Sequence, residues 1–129
     1  MAKYLLDANV LVDWLKGKPE VVRVLGDLMR GRQLLALNAI CVSEVYAGLA
    51  CDERGPADRI VGAMDYWDID TATARLAGEY RYQFARKGRG LSTPDALMAS
   101  SAIANHAILV TGNVKDFPMP ELELLKLPE

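Results

Sequence analysis

Short apolar runs alternate along this chain with segments whose apolar residues recur every three or four positions, and that alternation predicts parallel strands interleaved with amphipathic helices. Tyr4 to Leu6, Gln33 to Leu37, Tyr66 to Ile69, Ala107 to Val110 and Leu122 to Leu127 read as strands. Between them the pattern predicts a helix that follows a turn at Ala8-Asn9 and runs through Leu15, then helices from Val21 to Met29, Ala39 to Ala50, Ala57 to Met64, Thr71 to Arg86 and Asp95 to Asn105. The punctuation agrees, because Gly17, Gly31, Gly88 and Gly90 stand where helices should stop and Asn38 where one should start. No repeat, linker or low-complexity tract interrupts the series, so residues 1–129 are expected to form one α/β domain around a central parallel sheet of about five strands flanked by helices.

The sharpest local signal is Ser92-Thr93-Pro94-Asp95, where Thr93 can cap, Pro94 suits a first helical position and Asp95 falls in the first turn. The following helix carries Ala96, Ala99, Ser100, Ser101, Ala102 and Ala104, small enough to pack closely on a sheet. An acid at such a helix start gains about 0.3–1 kcal/mol from the dipole, so ordinary first-turn charge is one reading of Asp95. Position supplies another. In an open parallel sheet, sites form at the carboxyl ends of the strands near the point where strand order reverses. Asp7 ends the first strand, Asp116 follows the strand ending at Val110, and Asp95 opens a helix leading back to that strand. Glu44 lies on the helix after the second strand, six residues past Asn38, where it can face either the site or water.

If the four acids converge, they form a cation site. Two carboxylates ~5 Å apart at an effective dielectric near 20 repel by about 3 kcal/mol, and a divalent ion relieves that repulsion. Oxygen-only donors favour Mg²⁺, with Mn²⁺ as the alternative, and such sites serve phosphoryl and phosphodiester chemistry.

Composition narrows the classes. With 51% hydrophobic and 25% charged residues the chain can bury a core, and disorder is not expected. The net charge of −2 argues against coating nucleic acid by bulk attraction, although setting the four acids aside turns it to +2 and leaves room for a local RNA contact. Arg81, Arg86, Lys87 and Arg89, running off the long helix into a Gly-rich loop, are the candidates for that contact, against the plainer reading of a solvated helix end. No segment reaches membrane-spanning length and nothing resembles a secretion signal, which points to a cytoplasmic protein. Cys41 and Cys51 are expected on one helix about 15 Å apart, too far for a disulfide. His106 is expected to cap a helix C-terminus through its partial charge, Asp13 to face solvent, and Trp14, Tyr46, Trp67, Tyr80 and Tyr82 are not assigned to RNA.

Four segments in this order carry a resemblance: Leu5-Leu6-Asp7-Ala8-Asn9-Val10-Leu11-Val12-Asp13, Ser43-Glu44-Val45 with Gly48, Pro94-Asp95-Ala96-Leu97, and Thr111-Gly112-Asn113-Val114-Lys115-Asp116-Phe117. Together they resemble the PIN-domain family over essentially the whole chain, and specifically the VapC-type toxins of toxin–antitoxin pairs. The resemblance implies a metal-dependent endoribonuclease that hydrolyses RNA with metal-activated water. Its ligands would be Asp7, Glu44, Asp95 and Asp116, its polar supports Asn9 and Asn113. It also implies neutralisation by an antitoxin that binds across the acidic cleft, and pairing as a homodimer. Ala8 stands where that family commonly has a hydroxyl residue and Gly112 where it frequently has Arg, so no contact is carried over to those two positions. The alternatives are a receiver-like signalling domain, a phosphatase of the haloacid dehalogenase type, and a catalytically inactive PIN scaffold that binds RNA. A receiver fits poorly because Glu44 and Asp95 lie on helices, and the phosphatase because Asn9 stands where it would have a second acid.

Overall fold

In the computed structural model, which describes residues 1–128, the elements run β1 (Lys3–Leu6), α1 (Ala8–Leu15), α2 (Pro19–Arg30), β2 (Leu34–Asn38), α3 (Ala39–Ala47), α4 (Arg54–Gly62), β3 (Asp65–Trp67), α5 (Thr71–Arg86), α6 (Thr93–Ala104), β4 (Ile108–Thr111) and β5 (Glu123–Lys126). The five strands form one sheet in the order β3-β2-β1-β4-β5, every neighbouring pair parallel. Chain order therefore runs outward from β1 to β3 on one side, then returns to place β4 and β5 on the other. The reversal falls between β1 and β4, where a parallel sheet opens a crevice at its carboxyl edge.

The central strands are apolar without alternation because helices cover both faces. Leu5, Leu6, Leu109 and Val110 are fully buried, joined by Val10 and Leu11 of α1, Val21 and Leu25 of α2, Cys41 and Val45 of α3, and Met98, Ala99 and Ala102 of α6. The small residues of α6 let it lie close against β4 on one side and α5 on the other. The edge strand β3 is three residues long, with Asp65 and Tyr66 exposed, which discourages pairing with another sheet edge.

Several boundaries differ from expectation for local reasons. The cap of α6 is Ser92, not Thr93: the Ser92 hydroxyl accepts from the Asp95 amide at 3.1 Å, so the helix starts one residue earlier and Asp95 becomes its third residue. Helix α3 stops at Ala47 because Gly48 follows, and a 3-10 turn at Cys51–Glu53 leads into α4 at Arg54, three residues before the expected start. Cys51 thus lies off α3 and is exposed, whereas Cys41 is buried; both are free thiols. Strand β3 is drawn back to Asp65–Trp67.

His106 does close α6, but through its backbone. At φ 54 it takes the left-handed position after the helix, its amide donates to Ile103 O at 3.1 Å, and the Ala107 amide donates to Ala102 O at 2.9 Å. The same geometry ends α2, with Arg32 at φ 58 just beyond Gly31. Among the described residues, no helix is long and apolar enough to cross a membrane.

Candidate metal centre

Asp7 occupies the crevice by extending β1 one residue. Its amide donates to Val110 O at 3.0 Å, which continues the β1–β4 ladder, and the chain then turns into α1 with Asp7 as cap. Both carboxylate oxygens are engaged: Oδ1 accepts from the Ala8 amide at 2.8 Å and Oδ2 from the Thr111 hydroxyl at 2.8 Å. Thr111 is fully buried, and its hydroxyl accepts in turn from the Asn113 amide at 3.0 Å. The carboxylate is thus pinned between the start of α1 and the end of β4.

The other acids arrive from separate elements. Asp95 is partly buried in the first turn of α6, Glu44 is exposed on α3, and Asp116 is exposed at the end of a 3-10 turn at Val114–Asp116. Their electrostatics show that they share one region. Burial raises the Asp7 carboxyl above its ordinary 3.8; the hydrogen bonds from Thr111 and Ala8 offset this, and the charges of Asp95 and Asp116 raise it further. Burial also raises Asp95, with Ser92 lowering it and Asp116 raising it. Glu44 is raised from 4.5 by partial desolvation, then by Asp7 and Asp95. The four acids therefore lie near enough to one another, at one sheet edge, to feel each other's charge.

That donor set fits a hard divalent cation, which would be bound by oxygen and would relieve the repulsion that raises these groups. The side chains are not closed into a ligand shell, however. Among the described residues, no three Asp, Glu, His or Cys side chains stand close enough together to hold one ion. Asp7 is held by two hydrogen bonds, whereas Glu44 and Asp116 are open to water.

Thr111 is the residue the sequence reading missed. Its signal was present: β1 and β4 pair Leu6 with Val110, so one step on Thr111 stands beside Asp7, the first polar residue after each apolar run. The Ser92 cap was missed in favour of its neighbour. Cys41 sits near Asp7 and Glu44 but is no nucleophile, since burial, followed by those two charges, pushes its thiol up to about 12.

The secondary candidates are sorted by their contacts. Asn9 and Asn113 border a cleft of about 300 Å³ beside the acids, and among the described residues neither side-chain amide is hydrogen-bonded within the chain. Asp13 is half-buried on the same cleft and paired with Lys18 at 3.1 Å, so it does not simply face solvent. Arg86 lies over the Tyr82 ring at 4.0 Å and Lys87 over the Phe84 ring at 5.2 Å. Arg81 donates to Leu91 O at 3.2 Å. Arg89 alone reaches the acid region, donating to the carbonyl of Lys115, next to Asp116. Trp14, Tyr46 and Trp67 pack on the core and Tyr80 is buried within it, while Tyr82 is exposed.

The family model for the PIN domain matches residues 4–118. Among characterised proteins, Ribonuclease VapC19 of Mycobacterium tuberculosis is 29% identical over 120 residues, spanning 92% of this chain and 96% of that one. The tRNA(fMet)-specific endonuclease VapC of Shigella flexneri is 30% identical over 122 residues, 91% of each chain. In structure, a chain of VapBC2 from Rickettsia felis, crystallised bound to a DNA fragment from their promoter, superposes with a TM-score of 0.85 at 26% identity over 97% of this chain and 98% of that one. A chain of DNA-bound VapBC from Salmonella typhimurium gives 0.83 at 25% identity over 98% of each.

Proposed function

The chain belongs to the PIN-domain family, and on that premise we propose that it is a Mg²⁺- or Mn²⁺-dependent endoribonuclease, the toxin of a toxin–antitoxin pair, that hydrolyses RNA phosphodiester bonds. The observation that carries this reading is the electrostatic coupling of Asp7, Glu44, Asp95 and Asp116 at the switch point of the sheet, in a chain whose relatives are named ribonucleases and endonucleases. Asp7 and Asp95 would hold the ion directly, and Glu44 and Asp116 would do so through water. When bound, the ion neutralises phosphate charge and makes water a stronger nucleophile.

The chain's own residues do the rest. Thr111 and the Ala8 amide fix the Asp7 carboxylate against rotation, so its position does not depend on substrate. The first turn of α6 holds Asp95 where the helix dipole favours its negative charge. Glu44 and Asp116 are the acids that water reaches, and they can orient the attacking molecule or take its proton as its oxygen bonds to phosphorus and the P–O bond of the leaving nucleotide breaks. Arg89, anchored beside Asp116, is the cation best placed to meet phosphate. The neutralising partner would cover the acids. A groove of about 530 Å³ between α1, α3 and the 3-10 turn starts at Glu44 and is walled by Val12, Leu15, Val45, Leu49 and Pro56, which suits an antitoxin segment with apolar anchors and a basic side chain. Homodimer formation and a cytoplasmic setting belong to the same reading.

Cleavage of a mixed RNA pool by purified protein tests the proposal, with Mg²⁺, Mn²⁺ or EDTA and with Asp7→Asn and Asp95→Asn alongside. Discrete products that require the metal and vanish in both variants are expected. A folded, antitoxin-free protein that binds RNA without cutting it under either ion would replace the nuclease with an inactive RNA-binding scaffold.

A further inference from the structure

The cleft beside the acid cluster presents side-chain amides that, among the described residues, are not hydrogen-bonded within the chain. It has a volume of about 300 Å³ and runs between α1 and the exit of β4, bordered by Asn9, Asp13, Lys16, Gly112 and Asn113. Val12, Leu127 and Pro128 supply apolar walls. We propose that this cleft is a subsite for one unpaired nucleobase of the RNA, the base adjoining the scissile phosphate. The proposal rests on the ribonuclease reading and adds to it the element that selects where the chain is cut.

The lining favours a base over a phosphate. Asn9 and Asn113 each offer a carbonyl acceptor and an amide donor that are without a partner among the described residues, and a primary amide can pair with the donor–acceptor edge of a base through two parallel hydrogen bonds. Asp13 is held by Lys18 at 3.1 Å, which leaves Lys16 as a single unpaired positive charge among the described lining residues; one lysine is no cluster of cations, and the two amides are groups that pair with the edge of a heterocycle. Apolar walls cover the faces of such a ring while its edge meets the amides. Among the described residues no aromatic side chain lines the cleft, so binding here depends on edge recognition and discriminates between bases, unlike a sequence-tolerant stacking platform. RNA is read in this way where its bases are unstacked.

Placement ties the cleft to the reaction. The Thr111 hydroxyl that holds Asp7 at 2.8 Å also accepts from the Asn113 amide at 3.0 Å, so one buried residue anchors both the central carboxylate and a wall of the cleft. Asn9 follows Asp7 by two residues on the first turn of α1. Gly112 leaves the wall between Thr111 and Asn113 without a side chain.

The test uses the full chain, isotopically labelled and kept in EDTA, titrated with four 2′-O-methyl dinucleotides that differ in one base. One base is expected to bind about tenfold or more tightly than the other three and to move the side-chain amide signals of Asn9 and Asn113 together with the Gly112 backbone signal. Asn9→Ala and Asn113→Ala, each checked for an unchanged backbone spectrum, should reduce that ratio to about threefold or less. Equal affinity for all four bases, or shifts confined to other surfaces, overturns the proposal. A parallel cleavage assay with Mn²⁺, on RNA randomised on both sides of the scissile bond, separates the two readings. Cutting whose base preference survives in both variants removes the subsite and leaves the ribonuclease. Base-selective amide shifts without any cutting remove the ribonuclease and leave the subsite.

Discussion

Two halves of the acid pocket are held in opposite ways. The strand half, partly buried Asp7 with fully buried Thr111, is hydrogen-bonded at both carboxylate oxygens. The helix-and-turn half, Glu44 with Asp116, is exposed, and neither carboxylate is tied down by a hydrogen bond among the described residues. The difference follows from topology. A residue one step past a paired strand inherits the precision of the ladder, whereas one on the sixth residue of a helix or at a turn's end inherits only its approximate place. A site built this way has a fixed point and an adjustable rim, which allows the rim to close on whatever ion or substrate arrives.

Removing the fixed point should have the largest effect. Asp7→Asn keeps the size and one acceptor of the side chain but removes the charge, and RNA cleavage is expected to fall by on the order of 10³-fold or more. Without metal the same variant should melt at a higher temperature than wild type, because the lost charge is the one that burial and the other acids disfavour. A melting temperature that falls instead would mean the cap bond to Ala8, and not charge, dominates that position.

Loosening the fixed point should rank next. Thr111→Val preserves volume but removes the hydroxyl, leaving Asp7 Oδ2 and the Asn113 amide without a partner at a cost of about 1–3 kcal/mol. Metal affinity, read by titration with Mn²⁺, should drop by about 10–100-fold. Glu44→Gln is the counterpart on the rim, and it should leave the unfolding free energy within about 0.5 kcal/mol of wild type, as exposed positions usually do. Equal destabilisation by both substitutions would erase the distinction between the halves.

The pH dependence tests the pocket as a whole. Asp7, Glu44 and Asp95 all bind protons more tightly folded than at their ordinary values of 3.8, 4.5 and 3.8. The stability they contribute is therefore complete below those values and is lost as pH rises through the raised, folded ones. In EDTA, raising the pH from about 4 to 7 should remove stability through these groups, opposite to the usual behaviour of paired carboxylates. Saturating Mg²⁺ should flatten that loss, and so should Asp7→Asn combined with Asp95→Asn. An unchanged slope in the double variant would place the titrating groups elsewhere.

Most of this arrangement was legible because strands and caps leave local marks. The five apolar runs became five parallel strands, and Asn38 caps α3 with its side chain accepting from Cys41 at 3.1 Å. Less legible were features decided between neighbours of similar chemistry. Ser92 and Thr93 can both cap, and only the path of α6 onto the sheet selects Ser92. Left-handed turns fell on Arg32 and His106, residues that carry no glycine-like signal, because tertiary packing sets where α2 and α6 must stop. Thr111 reads as the last residue of a strand until the register places it beside Asp7. The positions of the rim acids were beyond reach for another reason: side-chain rotation on an exposed helix is not encoded by neighbouring residues.

The smallest expected effect separates burial from charge within the pocket. Cys41 lies beneath it on α3, raised to about 12 by burial first and by Asp7 and Glu44 second, while Cys51 is exposed on the 3-10 turn. Native protein treated with iodoacetamide at pH 8 should therefore take up one label, at Cys51, and a second only on unfolding. Mg²⁺ should hardly change this, because an ion cancels the lesser cause and leaves the greater. If Cys41 became reactive in EDTA and was protected by Mg²⁺, the floor of the pocket would be opening with its rim, and the fixed point would be limited to Asp7 and Thr111.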